Sequence, residues 1–347
     1  MAPIRNARVL FNSHPEGYPV PGETTVYDAT PTIDVDNVPL NGGFLVKTLV
    51  VSVDPYFRGR MRKPDPKSYA AYAAGFALGE PLYGYGIAKV LRSETPDVEV
   101  GKYIYGPNIM HQEYTVYPGL GTTLRLIEKH PDLPWTAYVG AAGMPGKTAW
   151  FAWQEFSDAK AGQIAFVTTG AGPVGSMVIQ LAKAAGMKVI ASAGSEEKVQ
   201  FMKSIGVDVP FNYKTTDTRE VLAKEGPIDI FWDNVGGEIL DAALEFSAVY
   251  GRFILCGSIA GYNQPHVPIK NTPLIAVRSL HLHGILVFRL EHKYDKAFYA
   301  TIPEKLASGE IKYSEEVVRG LEGVGDLILR VQKGENKAKA VVVVADE

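Results

Sequence analysis

The sequence predicts an α/β protein in two units, one β-rich and one a doubly wound parallel sheet. Three observations carry this. Residues 1–130 are rich in short Val/Tyr/Thr runs broken by Gly and Pro, the texture of strands joined by tight turns. Residues 131–300 alternate apolar runs with helical segments over short links, as parallel strands covered on both faces do. Residues 301–347 end in the β-branched run Ala340–Val344, a lone strand that needs a sheet to join. The chain is therefore expected to leave the first domain, build the second, and return.

In the first region Phe44–Val53, Gly86–Leu91 and Glu113–Tyr117 read as strands. In the second, Ile164–Thr169 reads as a buried strand. The helix Pro173–Ala185 follows, with Gly186 as its C-terminal stop. Lys188–Ser192 is the next strand, and Glu196–Ile205 is a helix stopped by Gly206. Ile228–Asp233 is a strand, and Gly236-Gly237 leads into the helix Leu240–Phe246. Arg252–Gly257 and Leu282–Phe288 read as further strands, and Thr301–Ser308 and Leu321–Lys333 as helices.

The chain has 347 residues, 46% of them hydrophobic, enough for a sizeable core and about two domains. With a net charge of −3 and no Lys/Arg block, nucleic acid is not an expected partner. No run of about 18 apolar residues is present, so no membrane span is expected. Neither is a signal peptide, and the cytoplasm is the expected compartment. The single cysteine, Cys256, rules out an internal disulfide and a cysteine-rich zinc site.

The sharpest local signal is Thr168-Thr169-Gly170-Ala171-Gly172-Pro173-Val174-Gly175, the G-x-G-x-x-G spacing between a strand and a helix. In this Rossmann pattern Gly170 permits the tight turn. Gly172 lets the backbone approach a pyrophosphate, and Gly175 lets the helix pack on the strand. The helix N-terminus, with Pro173 and Val174, then faces the phosphates.

Versions that bind NAD usually carry an acid at the end of the second strand, about 20 residues on. Here the strand ends Ser192-Ala193-Gly194-Ser195, with no acid. Lys198, within one helical turn, can meet a 2′-phosphate, which favours NADP. Glu196 and Glu197 beside it count against this, although acids in a first helical turn are ordinary.

A catalytic zinc needs Cys or His ligands that this chain lacks in any suitable set. Its seven histidines are scattered; His281 and His283 share one strand face and read as packed or surface residues. No G-x-S-x-G elbow or P-loop is present. Hydride transfer without a metal remains.

Several segments together resemble the zinc-independent medium-chain dehydrogenase/reductase family, in the branch of the prostaglandin reductases and plant alkenal double-bond reductases. Ser52-Val53-Asp54-Pro55-Tyr56-Phe57-Arg58 is similar to S-V-D-P-Y-M-R. Met144–Ala149 matches M-P-G-x-T-A, and Gly194–Val199 matches G-S-x-E-K-V. Phe211–Lys214 matches F-N-Y-K, Asp233–Gly237 matches D-N-V-G-G, and Lys333–Asn336 matches K-G-[DE]-N. Cys256–Asn263 resembles C-G-x-I-S-x-Y-N. Departures are Gly170–Pro173 in place of A-S-G-A, His111 in place of Trp, and Ala260 in place of Ser.

The resemblance implies a GroES-like catalytic domain beside the Rossmann domain, with NADP(H) as cofactor. It implies that Lys198 and Tyr213 bind the adenosine 2′-phosphate end. Asn234, the loop bearing Cys256, Gly257, Ser258 and Ile259, then Ile285, Leu286, Val287 and Asn336 are to line the rest. The implied substrate is an α,β-unsaturated aldehyde or ketone, which takes hydride at its β-carbon. Charge then develops on the carbonyl oxygen, and a hydrogen-bond donor there lowers the barrier. Tyr262 is the candidate donor, since an ordinary tyrosine hydroxyl stays protonated at pH 7; packing over the cofactor is its alternative role. Tyr56 and Arg58 are expected to approach the same cleft, Arg58 alternatively holding a loop. Tyr69, Tyr72, Phe76, Tyr83 and Tyr85 form either an apolar pocket or part of a β-rich core. A quinone reductase and a non-catalytic NADPH-binding protein are the competing functions. A homodimer through the sheet edge near Leu282–Phe288 is expected by analogy.

Overall fold

A computed structural model describes residues 2–65 and 73–347 and divides the chain into two compact units. Unit 1 comprises Met1–Gly140, Glu315–Asn336 and Ala340–Glu347; unit 2 comprises Ala141–Ser314 and Lys337–Lys339.

Unit 1 is built on a seven-stranded sheet. Its central strand Phe44–Ser52 pairs antiparallel with Tyr83–Ser93 on one side and with the terminal strand Lys339–Val343 on the other. Tyr83–Ser93 pairs in turn with Tyr103–Met110, and that strand with Arg125–Ile127. The terminal strand buries four of its five residues, and its register sets Val342 opposite Val51. The amphipathic helix Val324–Lys333 buries Val324, Leu327, Ile328 and Val331, the i, i+3, i+4, i+7 stripe of one helix face. These four join Phe44, Val46, Phe57 and Leu82 in the core of this unit.

Unit 2 holds a six-stranded parallel sheet, in the spatial order Val209–Asn212, Lys188–Ala193, Ile164–Val167, Ile228–Asp233, Ser247–Leu255, His281–Gly284. This is the 3-2-1-4-5-6 order of the doubly wound dinucleotide fold, so the fold class agrees with the sequence expectation. The inner strands are buried on both faces, which is why they read as continuous apolar runs. On one face Phe211, Phe166, Phe231 and Phe253 form a row across the sheet, with successive ring centroids 6.3, 5.3 and 5.4 Å apart.

Two elements and one unit boundary differ from expectation. The strand expected at Leu282–Phe288 is His281–Gly284, followed by a 3-10 turn at Val287–Arg289. Its neighbour ends at Leu255, whose carbonyl accepts from the Ile285 N–H at 3.1 Å, so the ladder has no partner beyond that point. The helix expected at Thr301–Ser308 starts earlier and runs Glu291–Ala307. Interior Pro303 removes one backbone bond, which packing offsets. Phe298 sits 5.9 Å from Phe151 of the helix Met144–Phe156, and buried Lys147 pairs with Glu291 and, at 2.8 Å, with Asp295. Residues 301–314 thus stay with unit 2, and the chain re-enters unit 1 at Glu315.

Candidate nucleotide site and its surroundings

The strand Ile164–Val167 runs into the glycine turn. Thr169 takes a left-handed φ of +49°, and the Gly172 N–H donates to its carbonyl at 2.8 Å. The Gly170 N–H donates to Ser192 O at 2.9 Å, tying the turn to the second strand. A Cβ on Gly170 would meet Met202 Sδ at 2.6 Å, and one on Gly175 would meet Thr169 O at 2.5 Å. Gly175, faced by backbone, excludes any side chain, and one at Gly170 would have to displace Met202. The helix Pro173–Ala184 starts at Gly172 with no side-chain cap. Its first-turn N–H groups have no partner within the helix, and its dipole is positive there. A bare turn at the positive end of a helix dipole fits a pyrophosphate.

At the end of the second strand, Ser195 caps the helix Glu196–Ser204, its oxygen 3.4 Å from the Lys198 N–H. Tyr213 N–H donates to Ala193 O at 3.1 Å, and the phenol lies against Gly194. Lys198 is half-buried in the first turn of that helix. Each neighbouring acid has its own partner: Glu196 accepts from Asn212 Nδ2 at 3.0 Å, and Glu197 faces Lys337 at 3.9 Å. Lys198 and Tyr213 are the groups at this strand end able to meet a 2′-phosphate.

The sheet's switch point lies between Ile164–Val167 and Ile228–Asp233. Asn234 closes it. Its Nδ2 donates to Thr168 O at 2.8 Å, its backbone N–H donates to Thr168 Oγ1 at 2.8 Å, and its Oδ1 accepts from Trp232 Nε1 at 3.2 Å. Beside it, buried Asp233 accepts the N–H groups of Val235 and Gly236 at 2.9 and 2.8 Å. Burial pushes the Asp233 carboxyl up to about 6, although these two N–H bonds oppose the shift. The Cys256 thiol is pushed up to about 12 by burial and by the Asp233 charge, so it is no nucleophile at neutral pH.

The segment 256–262 follows the strand Ser247–Leu255 and winds into a 3-10 turn at Ile259–Gly261, with half-buried Tyr262 next. Ile285 and Val287 are buried, with Leu286 extended between them. Unit 2 thus gathers Gly170, Gly172, Pro173, Val174, Gly175, Lys198, Tyr213, Asn234, the Cys256–Tyr262 loop and Ile285–Val287. All follow the C-terminal ends of its parallel strands.

Asn336 belongs to unit 1, as do Tyr56 and Arg58. Tyr56 is half-buried and packs edge-on against Phe57 at 5.2 Å. Arg58 is buried and donates to the carbonyls of Gly17 and Pro15 at 2.8 and 3.2 Å, so it holds a loop through carbonyl groups. Phe76 is buried, and the Arg60 guanidinium lies between its ring and that of Tyr83, at 4.1 and 4.0 Å. Those two aromatics pack with the core, and Tyr85 packs on Tyr105 at 5.6 Å. Tyr69 and Tyr72 lie outside the described residues. His111 is fully buried beside Phe57, and burial, with the Arg60 charge, holds its imidazole down at about 3.

Sequence reasoning missed Thr168 and Asp233 as organisers of the site. Asp233 had a signal: an acid at the end of an apolar strand, followed by Asn-Val-Gly-Gly. Among the described residues no group of three or more His, Cys, Asp or Glu is placed to hold a metal ion, and no helix is long and apolar enough to cross a membrane.

Comparison with known proteins places this geometry in a family. Residues 173–302 match the family model described as zinc-binding dehydrogenase, and residues 7–124 match that of the N-terminal domain of oxidoreductase. The NADP(+)-dependent 2-alkenal reductase of Nicotiana tabacum is 36% identical over 99% of both chains. The (+)-pulegone reductase of Mentha piperita is 33% identical over 99% of this chain and all of that one. The crystal structure of CurA from Vibrio vulnificus in complex with NADPH superposes with a TM-score of 0.86 at 31% identity, covering 98% of this chain and 100% of CurA. The chain belongs to the medium-chain dehydrogenase/reductase family, in the branch of the alkenal double-bond and prostaglandin reductases.

Proposed function

We propose that the protein is an NADPH-dependent reductase of the α,β carbon–carbon double bond of unsaturated aldehydes and ketones. One observation carries the reading. A phosphate-fitting glycine turn, a Lys198–Tyr213 end suited to a 2′-phosphate, and the Tyr262 loop all lie along the C-terminal edge of one sheet. The names of the relatives, an NADP(+)-dependent 2-alkenal reductase and a pulegone reductase, support it.

Bound NADPH supplies hydride for the β-carbon. The chain's part is to hold the dinucleotide and to stabilise the charge that develops on the carbonyl oxygen. The first-turn N–H groups of Pro173–Ala184 hold the pyrophosphate, and Lys198 with Tyr213 holds the 2′-phosphate. Asn234, Cys256–Ile259, Ile285–Val287 and Asn336 line the remainder. Tyr262 donates to the carbonyl oxygen and is the proton source in this reading. Tyr56 forms a substrate wall, and Arg58 shapes the substrate side through the loop at Pro15 and Gly17.

The reading extends to a cytoplasmic homodimer. The outer strand His281–Gly284 has an open edge, with Leu282 and Phe288 exposed near it. Sedimentation with and without a charged substitution at Leu282 tests the dimer.

The function is tested by following NADPH consumption with cinnamaldehyde or 2-nonenal in the presence of EDTA, and identifying the product. The saturated aldehyde is expected. The allyl alcohol would overturn the reading, and consumption with quinones alone would replace it.

A further inference from the structure

The loop that carries Tyr262 is suspended from one short stretch of backbone. Asp233 O accepts the N–H groups of Cys256 and Gly257 at 2.8 and 3.0 Å. Asn234 O accepts from Ile259 at 3.3 Å, and Val235 O accepts from Ala260 at 3.1 Å. Only after these four bonds does the loop fold on itself, with Gly261 N–H donating to Ser258 O and Tyr262 N–H to Ile259 O. The placement of Tyr262 therefore follows from where the carbonyls of residues 233–235 point.

That direction is set by the Asp233 side chain. Its Oδ1 receives two successive N–H groups, from Val235 and Gly236, and so closes the turn from inside. Gly236 completes the turn at φ +72°, where a Cβ would come within 2.6 Å of Ser258 Oγ in the suspended loop. Asp233 is 1% exposed, and among the described residues only burial and the two N–H bonds act on its carboxyl, with no cation beside it. A buried anion without a cation is costly, and simple packing does not need one there.

We propose that Asp233 is a positioning residue for the reaction: its carboxylate holds the turn from which the Tyr262 loop hangs, and it acts on turnover through Tyr262. This rests on the reading of Tyr262 as the donor to the carbonyl oxygen.

The test is a double-mutant cycle of D233A and Y262F, with D233N alongside, measured as kcat on 2-nonenal, NADPH Kd and thermal melting. A carboxamide oxygen accepts the same two N–H groups, so D233N should recover most of the turnover that D233A loses. D233A should lower kcat by about tenfold or more in the parent. In the Y262F background it should cost less than about twofold, since two residues acting through one step do not add. Should D233A fail to fold, D233S takes its place, because a serine hydroxyl closes the same turn more weakly. An equal cost in both backgrounds, or a D233N as slow as D233A, overturns the proposal while the Tyr262 reading stands. A Y262F enzyme with full turnover overturns that reading, and the proposal with it.

Discussion

Tyr213 lies directly over Gly194: a Cβ on Gly194 would stand 2.8 Å from the phenol oxygen and 3.1 Å from the ring carbon that bears it. The two residues close the end of the second strand, with the Tyr213 N–H held on Ala193 O. A residue without a side chain lets the phenol fold back over the strand end.

G194A therefore moves the phenol without disturbing the core, because Tyr213 is 47% exposed and its far end swings freely. One displaced hydrogen-bonding contact is worth about 1 kcal/mol, or about fivefold in affinity. Titration should show NADPH Kd rising by about that factor, with the melting temperature nearly unchanged. An unaltered Kd would remove Tyr213 from the cofactor site.

K198A should separate the two cofactors. A charge-assisted bond to phosphate is worth about 1.5–3 kcal/mol, so NADPH affinity should fall by roughly ten- to a hundredfold. NADH, which lacks the 2′-phosphate, should lose little. Parallel Kd measurements decide it; equal losses would sink the 2′-phosphate assignment.

Y262F removes one donor. Such donors are typically worth about 3–4 kcal/mol, so kcat on 2-nonenal should fall by about two to three orders of magnitude. NADPH Kd should stay near the parent value. Retained turnover would make water or the cofactor ribose the proton source.

The nucleotide turn was legible because its glycines, its strand and its helix are contiguous, so local pattern and tertiary role coincide at Gly170–Gly175. The helix Met144–Phe156 was not. It opens on Met-Pro-Gly-Lys-Thr and buries residues nearly all round, which leaves no amphipathic period to read. Nothing local tells that Lys147 is buried between helices to meet Glu291 and Asp295, since that ion cluster spans about 145 residues of chain. The strand Val209–Asn212 and the helix Thr218–Glu225 escaped for the same kind of reason: each is short and carries few apolar residues. Within the site, residues that would touch a cofactor sit in recognisable motifs. Thr168 and Asp233 organise it through backbone groups instead, and such partnerships appear only once the strands are side by side.

Asp233 also gives the protein a pH signature. Its carboxyl titrates at about 6 when folded, against an ordinary 3.8. A group raised on folding contributes stability that is fully present below the unfolded value and is lost as pH rises through the folded one. Between pH 4 and pH 7 the parent should thus lose roughly 3 kcal/mol on account of this one residue, at about 1.4 kcal/mol per unit. Asn cannot titrate, so D233N keeps the turn but not the loss. The difference in melting temperature, D233N minus parent, should grow from about pH 4 to about pH 6 and level off above it, where the carboxyl is ionised in both states. Subtracting the two curves cancels the other carboxylates, which both proteins share. A difference independent of pH would mean that the Asp233 carboxyl titrates alike in the folded and unfolded protein.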